Sequence, residues 1–347
     1  MTASGRSAVN AAQLNLVIGA PMFSYGRTRS ATVLALSVVA VTASAEAQSA
    51  EPDTGRPIML MNARNYELRS SINGRNYLIS VALPPGYRRP GADTIKYPVL
   101  YVLDGERRLP LVTSMFRAIN SQRAGDVILV GIGYPRGGPL GPPVLPDGTP
   151  LRHIDYTPPP LVKSDSSLAA MQKDWPHTGG AEDFLRIVKE EVIPFVEGRY
   201  RTNGDRGLHG HSFGGLFATY VLLADPDLFH RYLITSPSLW WDGGSMFSRE
   251  SQSARTRVGL PKRVYFSVGD TEEPIMIAEM WRMVARLCSG VEKGYYKGLD
   301  VQAEALSDEL HSSTVFLSRA LKAMYPPYVP NKPAGHRYCG KLTPLPY

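Results

Sequence analysis

Cysteine is scarce in this chain: Cys288 and Cys339 are the only two in 347 residues. A small scaffold held together by many disulfides is therefore excluded. There is no Cys-x-x-Cys pattern and no cluster of His, Cys and Asp, so the sequence indicates no metal site and no cofactor. In an oxidising compartment the two thiols could pair and tie the Pro-rich tail to the body of the protein. Two unpaired, buried thiols are the alternative, and the sequence leaves both open.

Runs of charge of one sign are also missing. The chain has 38 Lys and Arg against 31 Asp and Glu, a formal net charge of +7, and these residues are dispersed. A nucleic-acid-binding protein usually has a basic stripe or cluster, so nucleic acid is not expected as a partner. The mild excess of positive charge would weakly favour anionic small molecules at low salt.

No apolar run is long enough to span a bilayer. The apolar stretch at 31–41, "ATVLALSVVAV", has 11 residues, follows Arg27 and Arg29, and precedes the small-residue stretch "TASAEAQ". This order is typical of a secretory signal peptide, so we predict a signal peptide over 1–47 with cleavage before Gln48. A true start at Met22 would give it a normal length. No cysteine follows as a lipid attachment point, so a periplasmic or secreted protein without a stable membrane anchor is expected.

The rest of the chain alternates apolar strand patterns with helical ones. Such alternation predicts an α/β protein with a mostly parallel, doubly wound sheet in a single domain. We assign residues 48–63 to a linker, 64–325 to the catalytic domain and 326–347 to a Pro-rich tail. Residues 136–180 are rich in Pro and Gly, and we expect them to form a lid or an excursion that faces the substrate. The predicted strands lie in a hairpin that turns at Asn73-Gly74 within 66–87, and then within 97–105, 126–135, 206–210, 231–241, 263–270 and 300–308.

The stretch "RGLHGHSFGGLFATYVLLA" places Ser212 on a turn between a short strand and an apolar helix. In this strand–turn–helix context the pattern Gly-x-Ser-x-Gly indicates a catalytic serine, because a sharp turn presents the serine hydroxyl as a nucleophile. Small residues at 210 and 214 are expected to let the flanking backbone segments approach closely. An oxyanion needs two backbone N–H donors, which we assign to Phe213 and Glu106. A structural glycine turn is the alternative interpretation of the motif.

A serine nucleophile needs a histidine base, which in this type of fold follows the serine along the chain. His311 comes after the last predicted strand and just before a helix, where the base is expected. His230 comes too early and His336 lies in the tail. His209 and His211 flank the serine too closely to act as its base, so we expect them to pack in the core or line the rim.

The acid that orients this histidine should lie on the loop after "RVYFSVG". Asp270, Glu272 and Glu273 all occupy that loop. Spacing alone does not choose among them.

Several stretches in order, covering about residues 64–325, resemble the putative esterase (esterase D-like) family of α/β-hydrolases, in the branch that includes periplasmic siderophore esterases. The resemblance implies the α/β-hydrolase fold and a Ser–His pair with a supporting acid, and it places that acid at Glu272, with Asp270 as the alternative. It also implies that Trp240 and Trp241 lie beside the pocket and contact substrate, although one of them could equally pack in the core. The matching stretches are "NGRNYLISVALPPGY", "YPVLYVLDG", "VGIGYP", "TGGAEDFLRIVKEEVIPFVEGRYRT", "RGLHGHSFGGLFA", "SPSLWW", "VGDTEEP" and "LHSSTVF".

These observations favour an exported serine hydrolase that cleaves a small-molecule carboxylic ester through an acyl-enzyme. The resemblance points to an aryl or siderophore-type ester. An acyltransferase would use the same residues, and a non-catalytic binding protein on the same scaffold is a third possibility. The sequence does not address oligomeric state.

Overall fold

The computed structural model describes residues 60–120, 126–135, 144–161, 176–257, 259–312 and 314–325, together with Cys339. The predicted signal peptide, most of the predicted linker and the rest of the predicted tail lie outside the described residues. None of the helices within these ranges is long and apolar enough to cross a membrane.

The described strands form one eight-stranded sheet in the order β1-β2-β4-β3-β5-β6-β7-β8. The pairs β1–β2 and β2–β4 are antiparallel and all other neighbours are parallel. This arrangement confirms the predicted mostly parallel sheet. The strands are β1 (Ala63–Arg69), β2 (Asn76–Ala82), β3 (Tyr97–Leu103), β4 (Ile128–Gly133), β5 (Thr202–His211), β6 (Arg231–Thr235), β7 (Arg263–Gly269) and β8 (Asp300–Leu306).

Helices follow most of the strands, as the alternating pattern predicts. A π-helical turn (Val188–Val192) follows the helix that ends at Ile187, and a 3₁₀ turn (Pro226–Leu228) follows the helix that ends at Ala224. The helices are α1 (Gly105–Asn120), α2 (Leu151–Tyr156), α3 (Ala181–Ile187), α4 (Ile193–Glu197), α5 (Phe213–Ala224), α6 (Trp241–Thr256), α7 (Pro274–Glu292) and α8 (Phe316–Met324).

Apolar clusters cover both faces of the sheet, and β3 shows why. Alternate residues of a strand point to opposite faces, so Leu100 and Val102 belong to one cluster while Tyr101 and Leu103 belong to the other. All four side chains are fully buried. A strand that is buried on both faces needs a continuous apolar run, which is the pattern that the sequence shows at 97–103.

The Pro- and Gly-rich segment 136–180 is only partly a surface excursion. Its described portion, 144–161 and 176–180, contains α2, where Ile154, Asp155 and Tyr156 are buried. The ring of Tyr156 packs against Phe184 and Phe217 in the main core. The part of the segment that forms α2 therefore belongs to the core, whereas the sequence analysis expected a lid or an excursion that faces the substrate. Residues 136–143 and 162–175 lie outside the described residues, so the lid expectation stays a prediction for them.

The two cysteines lie close together. Cys288 is buried on α7, and the partly buried Cys339 packs against the same apolar cluster. A hydrogen bond between the two side chains, together with burial, raises the pKa of the Cys288 thiol. Both residues are present as free thiols. The pairing suggested for an oxidising compartment therefore remains a prediction.

Close backbone packing holds the turn between β5 and α5. A Cβ atom on Gly210 would overlap the carbonyl group of Gly214, and one on Gly215 would lie 3.0 Å from Pro237 Cα. A Cβ on Gly214 would find its nearest neighbours at 3.5 Å, an ordinary contact. The expectation of close approach is thus confirmed at 210 and wrong at 214, because the second tight position is Gly215.

We predict that Gly210→Ala lowers the free energy of unfolding by about 1–3 kcal/mol, since the added methyl group overpacks rigid backbone. Gly214→Ala should change it by less than about 1 kcal/mol, because there is room and Ala favours a helix. Urea unfolding of the two variants and the parent protein measures the difference. Equal destabilisation by both variants would show that the turn is not held by this contact.

Candidate active site

Ser212 lies at the sharp turn between β5 and α5. Its φ of 60° and ψ of −122° are a strained conformation for a residue other than glycine. Its N–H donates to the carbonyl of Thr235 at 3.1 Å, and its own carbonyl accepts from the N–H groups of Leu216 and Ser238. The Oγ atoms of Ser212 and Ser238 are 3.5 Å apart. The backbone around the serine is therefore fixed on both sides, and the sharp turn predicted by the sequence motif is present.

A buried carboxylate orients His311. His311 Nδ1 lies 2.7 Å from Glu272 Oε2. The side chain of Glu272 is only 1% exposed, whereas that of His311 is 44% exposed. If Nδ1–H donates to the carboxylate, Nε2 is left as the proton acceptor.

Two further donors hold the same carboxylate. Glu272 Oε1 accepts from Ser236 Oγ at 2.5 Å and from the N–H of Gly269 at 2.7 Å. Burial alone would raise the pKa of Glu272, but the hydrogen bonds from His311, Ser236 and Gly269 outweigh it, and the pKa lies below its usual value. The group is therefore ionised at neutral pH. The sequence analysis missed Ser236; its place directly after β6, in "TSPS", is the only signal that could have suggested it.

The other two acids of this loop are arranged differently. Asp270 and Glu273 are exposed. Asp270 Oδ1 accepts from the N–H of Asp308 at 2.8 Å, which closes the loop between β7 and the end of β8. Of the three candidate acids, Glu272 is the one that hydrogen-bonds His311.

The ring of His311 lies beside the serine turn. Its centroid is 4.7 Å from that of His211, the residue that precedes Ser212. His209 and His211 are buried on β5, and burial lowers the pKa of His209 to about 4 and that of His211 well below its usual value. Both therefore stay neutral, as packing residues should. His230 is exposed, and His336 lies outside the described residues.

The two predicted oxyanion donors occupy the first turns of two helices. Phe213 begins α5 and Glu106 is the second residue of α1. Backbone N–H groups in a first helical turn have no partner in the helical ladder, so they can serve an external oxyanion. The N–H of Glu106 is also a donor to its own side-chain carboxylate, so an oxyanion at this position would compete with that carboxylate. The turn at Glu106 packs tightly on β4, because a Cβ on Gly105 would meet the backbone of Gly131. Burial raises the pKa of the Glu106 side chain, and this is only partly offset by hydrogen bonds from the N–H groups of Glu106 and Tyr134.

Aromatic rings surround Phe213. The centroids of Trp240 and Trp241 lie 6.0 and 5.5 Å from that of Phe213, and the His153 ring lies 5.0 Å away. Trp241 is buried, whereas Trp240 is partly exposed and donates its Nε1–H to Met276 Sδ at 3.0 Å. Of the two tryptophans predicted to contact substrate, Trp241 is thus placed in the core and Trp240 at the surface. Within the described ranges no three His, Cys, Asp or Glu side chains are grouped so as to hold a metal ion.

Comparison with known proteins places this site in a family context. Residues 146–292 match the sequence model of the family described as putative esterase. The chain is 29% identical over 226 residues to the ferri-bacillibactin esterase of Bacillus subtilis, covering 63% of this chain and 71% of that protein.

Two solved structures share the fold. One, the BES protein from Bacillus cereus, has a TM-score of 0.64 and 28% identity, covering 79% of this chain and 99% of that chain. The other, an IroE-like serine hydrolase from Shewanella oneidensis, has a TM-score of 0.60 and 26% identity, covering 76% of this chain and 80% of that chain. These comparisons confirm the resemblance inferred from the motifs: the chain is similar to the putative esterase family and to siderophore esterases, and it shares the fold of these serine hydrolases. The similarities support carboxylic ester hydrolysis as its activity.

Proposed function

We propose that the chain is an exported serine esterase that works through Ser212, His311 and Glu272. The observation that carries the proposal is the hydrogen bond between the buried Glu272 carboxylate and Nδ1 of the half-exposed His311, beside the turn that bears Ser212. A buried, ionised acid, a histidine and a strained serine are the three parts that this chemistry requires.

In the proposed reaction, Ser212 Oγ attacks the carbonyl carbon of the ester while His311 Nε2 accepts the hydroxyl proton. The carbonyl oxygen becomes an oxyanion and accepts hydrogen bonds from the N–H groups of Phe213 and Glu106. When the tetrahedral intermediate collapses, the C–O bond of the ester breaks and the departing alcohol takes the proton from His311. Water, activated by the same histidine, then hydrolyses the acyl-enzyme and regenerates Ser212.

Glu272 has a supporting role in this scheme. Its carboxylate fixes the histidine ring and stabilises the imidazolium that forms when Nε2 takes the proton. The hydrogen bonds from Ser236 and Gly269 keep the acid ionised in spite of its burial. The acid therefore does not compete with His311 for the proton.

For the substrate we propose a short-chain or aryl ester, including a siderophore-type lactone. The similarity to the ferri-bacillibactin esterase of Bacillus subtilis supports this substrate class. The partly exposed Trp240, with Phe213 next to it, offers an aromatic wall on which a flat acyl group could stack. The net positive charge of the chain would favour an anionic substrate at low salt.

We expect Ser212→Ala and His311→Ala each to lower kcat for p-nitrophenyl acetate by about 10⁴-fold or more. The double variant should be no worse than either single one, because the pair acts as a unit. Ordinary turnover in either single variant would contradict the assignment.

Glu272→Gln is expected to lower kcat by about 10²- to 10⁴-fold, because the neutral amide no longer stabilises the imidazolium. Asp270→Asn and Glu273→Gln are matched controls on the same loop, and they should change kcat by less than about threefold, since exposed charges act weakly on a site. Circular dichroism checks folding in all three variants. A larger loss in either control would transfer the role to that acid.

The proposed stacking of an acyl group on the partly exposed Trp240 predicts a preference for short acyl chains. Nitrophenyl esters of two to sixteen carbons, assayed with purified mature protein, should give a maximum kcat/KM at the short end, with aryl esters hydrolysed well. A siderophore trilactone is tested in the same panel by chromatography of its products. A maximum at twelve carbons or longer would refute the substrate proposal and indicate a lipase.

Export is the remaining part of the proposal, and it rests on the order of basic, apolar and small residues in 27–47. Protein recovered from the periplasm or medium of an expressing bacterium should begin at Gln48 by intact-mass measurement. Replacing the apolar run 31–41 with polar residues should keep the full-length chain in the cytoplasm. A full-length cytoplasmic product from the unaltered gene would contradict export.

A further inference from the structure

A second buried carboxylate lies on the opposite side of Ser212 from Glu272. Asp104 follows the last residue of β3 and immediately precedes α1, and its side chain is 1% exposed. Its φ of 52° is in the left-handed region, where Asp and Asn are tolerated better than most residues. Its N–H donates to Tyr156 Oη at 3.0 Å, and its carbonyl accepts from the N–H groups of Arg107 and Arg108 at the start of α1. Asp104 therefore sets how the chain enters the turn that contains Glu106.

One guanidinium joins this turn to the serine turn. Arg152 Nε donates to Asp104 Oδ1 at 2.7 Å, and Nη2 donates to Oδ2 at 3.2 Å. The same Nη2 lies 3.4 Å from the carbonyl oxygen of His211, the residue before Ser212. The carboxylate also lies against the helix that begins at Phe213, because Asp104 Oδ2 is 3.5 Å from the position of a Cβ on Gly214. An arginine and a carboxylate that are paired through two hydrogen bonds restrict both the orientation of the two side chains and the distance between the elements that carry them.

The contacts of Asp104 and Arg152 connect the turn that contains Glu106 with the turn that contains Phe213, the two candidate oxyanion donors. The N–H of Glu106 lies two residues after Asp104, and the N–H of Phe213 lies two residues after His211. A hole made of two backbone donors works only if both are held at hydrogen-bond distance from one oxygen. Two other cations lie near Asp104: Arg107 is 4.0 Å from Oδ1 and largely exposed, and Arg108 interacts with Asp104 through its charge. Arg152 is the cation whose hydrogen bonds reach both Asp104 and the serine turn.

We propose that Asp104 and Arg152 are positioning residues that hold the N–H groups of Glu106 and Phe213 at the spacing an oxyanion requires. They act through the backbone and transfer no proton. This inference rests on the proposed function of Ser212, because an oxyanion forms only if a nucleophile attacks there. It predicts that breaking the pair weakens binding of the transition state much more than binding of the ester.

The decisive variant is Asp104→Asn. Asn has the same shape and tolerates the same backbone conformation, so the change removes the charge and leaves the turn otherwise intact. We expect kcat for p-nitrophenyl acetate to fall about 10- to 100-fold with KM within about threefold, because a small displacement of a preorganised site has that effect. The affinity for an aryl boronic acid, which forms a tetrahedral adduct with the serine, should fall by a similar factor.

Asp155→Asn is the matched control. Asp155 lies on the same short helix as Arg152, its side chain is 2% exposed, and it is paired with Arg75 Nη1 at 2.5 Å. Its other oxygen accepts from Tyr77 and Tyr134, so its hydrogen bonds go to partners other than Arg152, Asp104 and His211. This variant should shift the unfolding temperature but keep kcat and boronic acid affinity within about threefold. Equal losses of kcat in Asp104→Asn and Asp155→Asn would overturn the positioning role, since general damage to the helix would explain both.

A second set of variants keeps the test informative if a single variant does not fold well, because it removes the two opposite charges together. Arg152→Met leaves Asp104 buried without its cation, and this should lower both stability and kcat. Adding Asp104→Asn to it should recover stability while kcat stays low, because the two residues act as one unit. Unchanged kcat in Asp104→Asn, or additive losses in the double variant, would refute the inference.

The Ser212→Ala variant distinguishes failure of the proposed function from failure of this inference. If Ser212→Ala keeps its activity, the assignment of the nucleophile is wrong. If Ser212→Ala is inactive and Asp104→Asn is fully active, only the positioning role is refuted.

Discussion

The hydrogen bond between His311 and Glu272 is the constraint on which the candidate site depends. A carboxylate that is 1% exposed loses its water, and burial of an unpaired charge is strongly unfavourable. Here three donors replace the water, and each comes from the end of a different strand. Ser236 follows β6, Gly269 ends β7, and His311 lies in the loop after β8. The Glu272 carboxylate thus connects the ends of three neighbouring strands. The same hydrogen bonds that stabilise this edge of the sheet also position His311.

The topology explains why this acid and the serine meet. In a parallel sheet the carboxyl ends of the strands lie at one edge, and functional side chains gather there. Strands β5, β6, β7 and β8 are consecutive neighbours in the sheet. Ser212, Ser236, Glu272 and His311 follow these four strands in that order. Chain order and spatial order coincide, so the proposed nucleophile and the proposed base, which are 99 residues apart in the sequence, are brought to one edge without any unusual connection.

Local patterns were enough to predict most of this fold, whereas the contacts between distant side chains were not. Apolar runs and the Asn73-Gly74 turn depend on neighbouring residues, and the strands lie where these patterns put them. Glu272 could be separated from the other acids of its loop only through family resemblance, because burial is a property of the folded chain. Apart from the place of Ser236 directly after β6, nothing local indicates its contact with Glu272. The choice between Gly214 and Gly215 as the tight position likewise depends on Pro237, a residue of the next strand's loop.

The electrostatic surroundings explain why His311, among the described histidines near Ser212, is suited to exchange a proton. Burial keeps His209 and His211 neutral, and the positive charge of Arg108 lowers the pKa of both further. A residue held in one charge state can pack or orient but cannot shuttle protons. His311 differs in two respects: nearly half of its side chain is exposed, and its Nδ1 faces an ionised carboxylate. On the other side of the serine, the negative charge of Asp104 is paired with the positive charge of Arg152. The two buried acids therefore have separate proposed roles: Glu272 orients His311, and Asp104 positions the backbone of the candidate oxyanion donors.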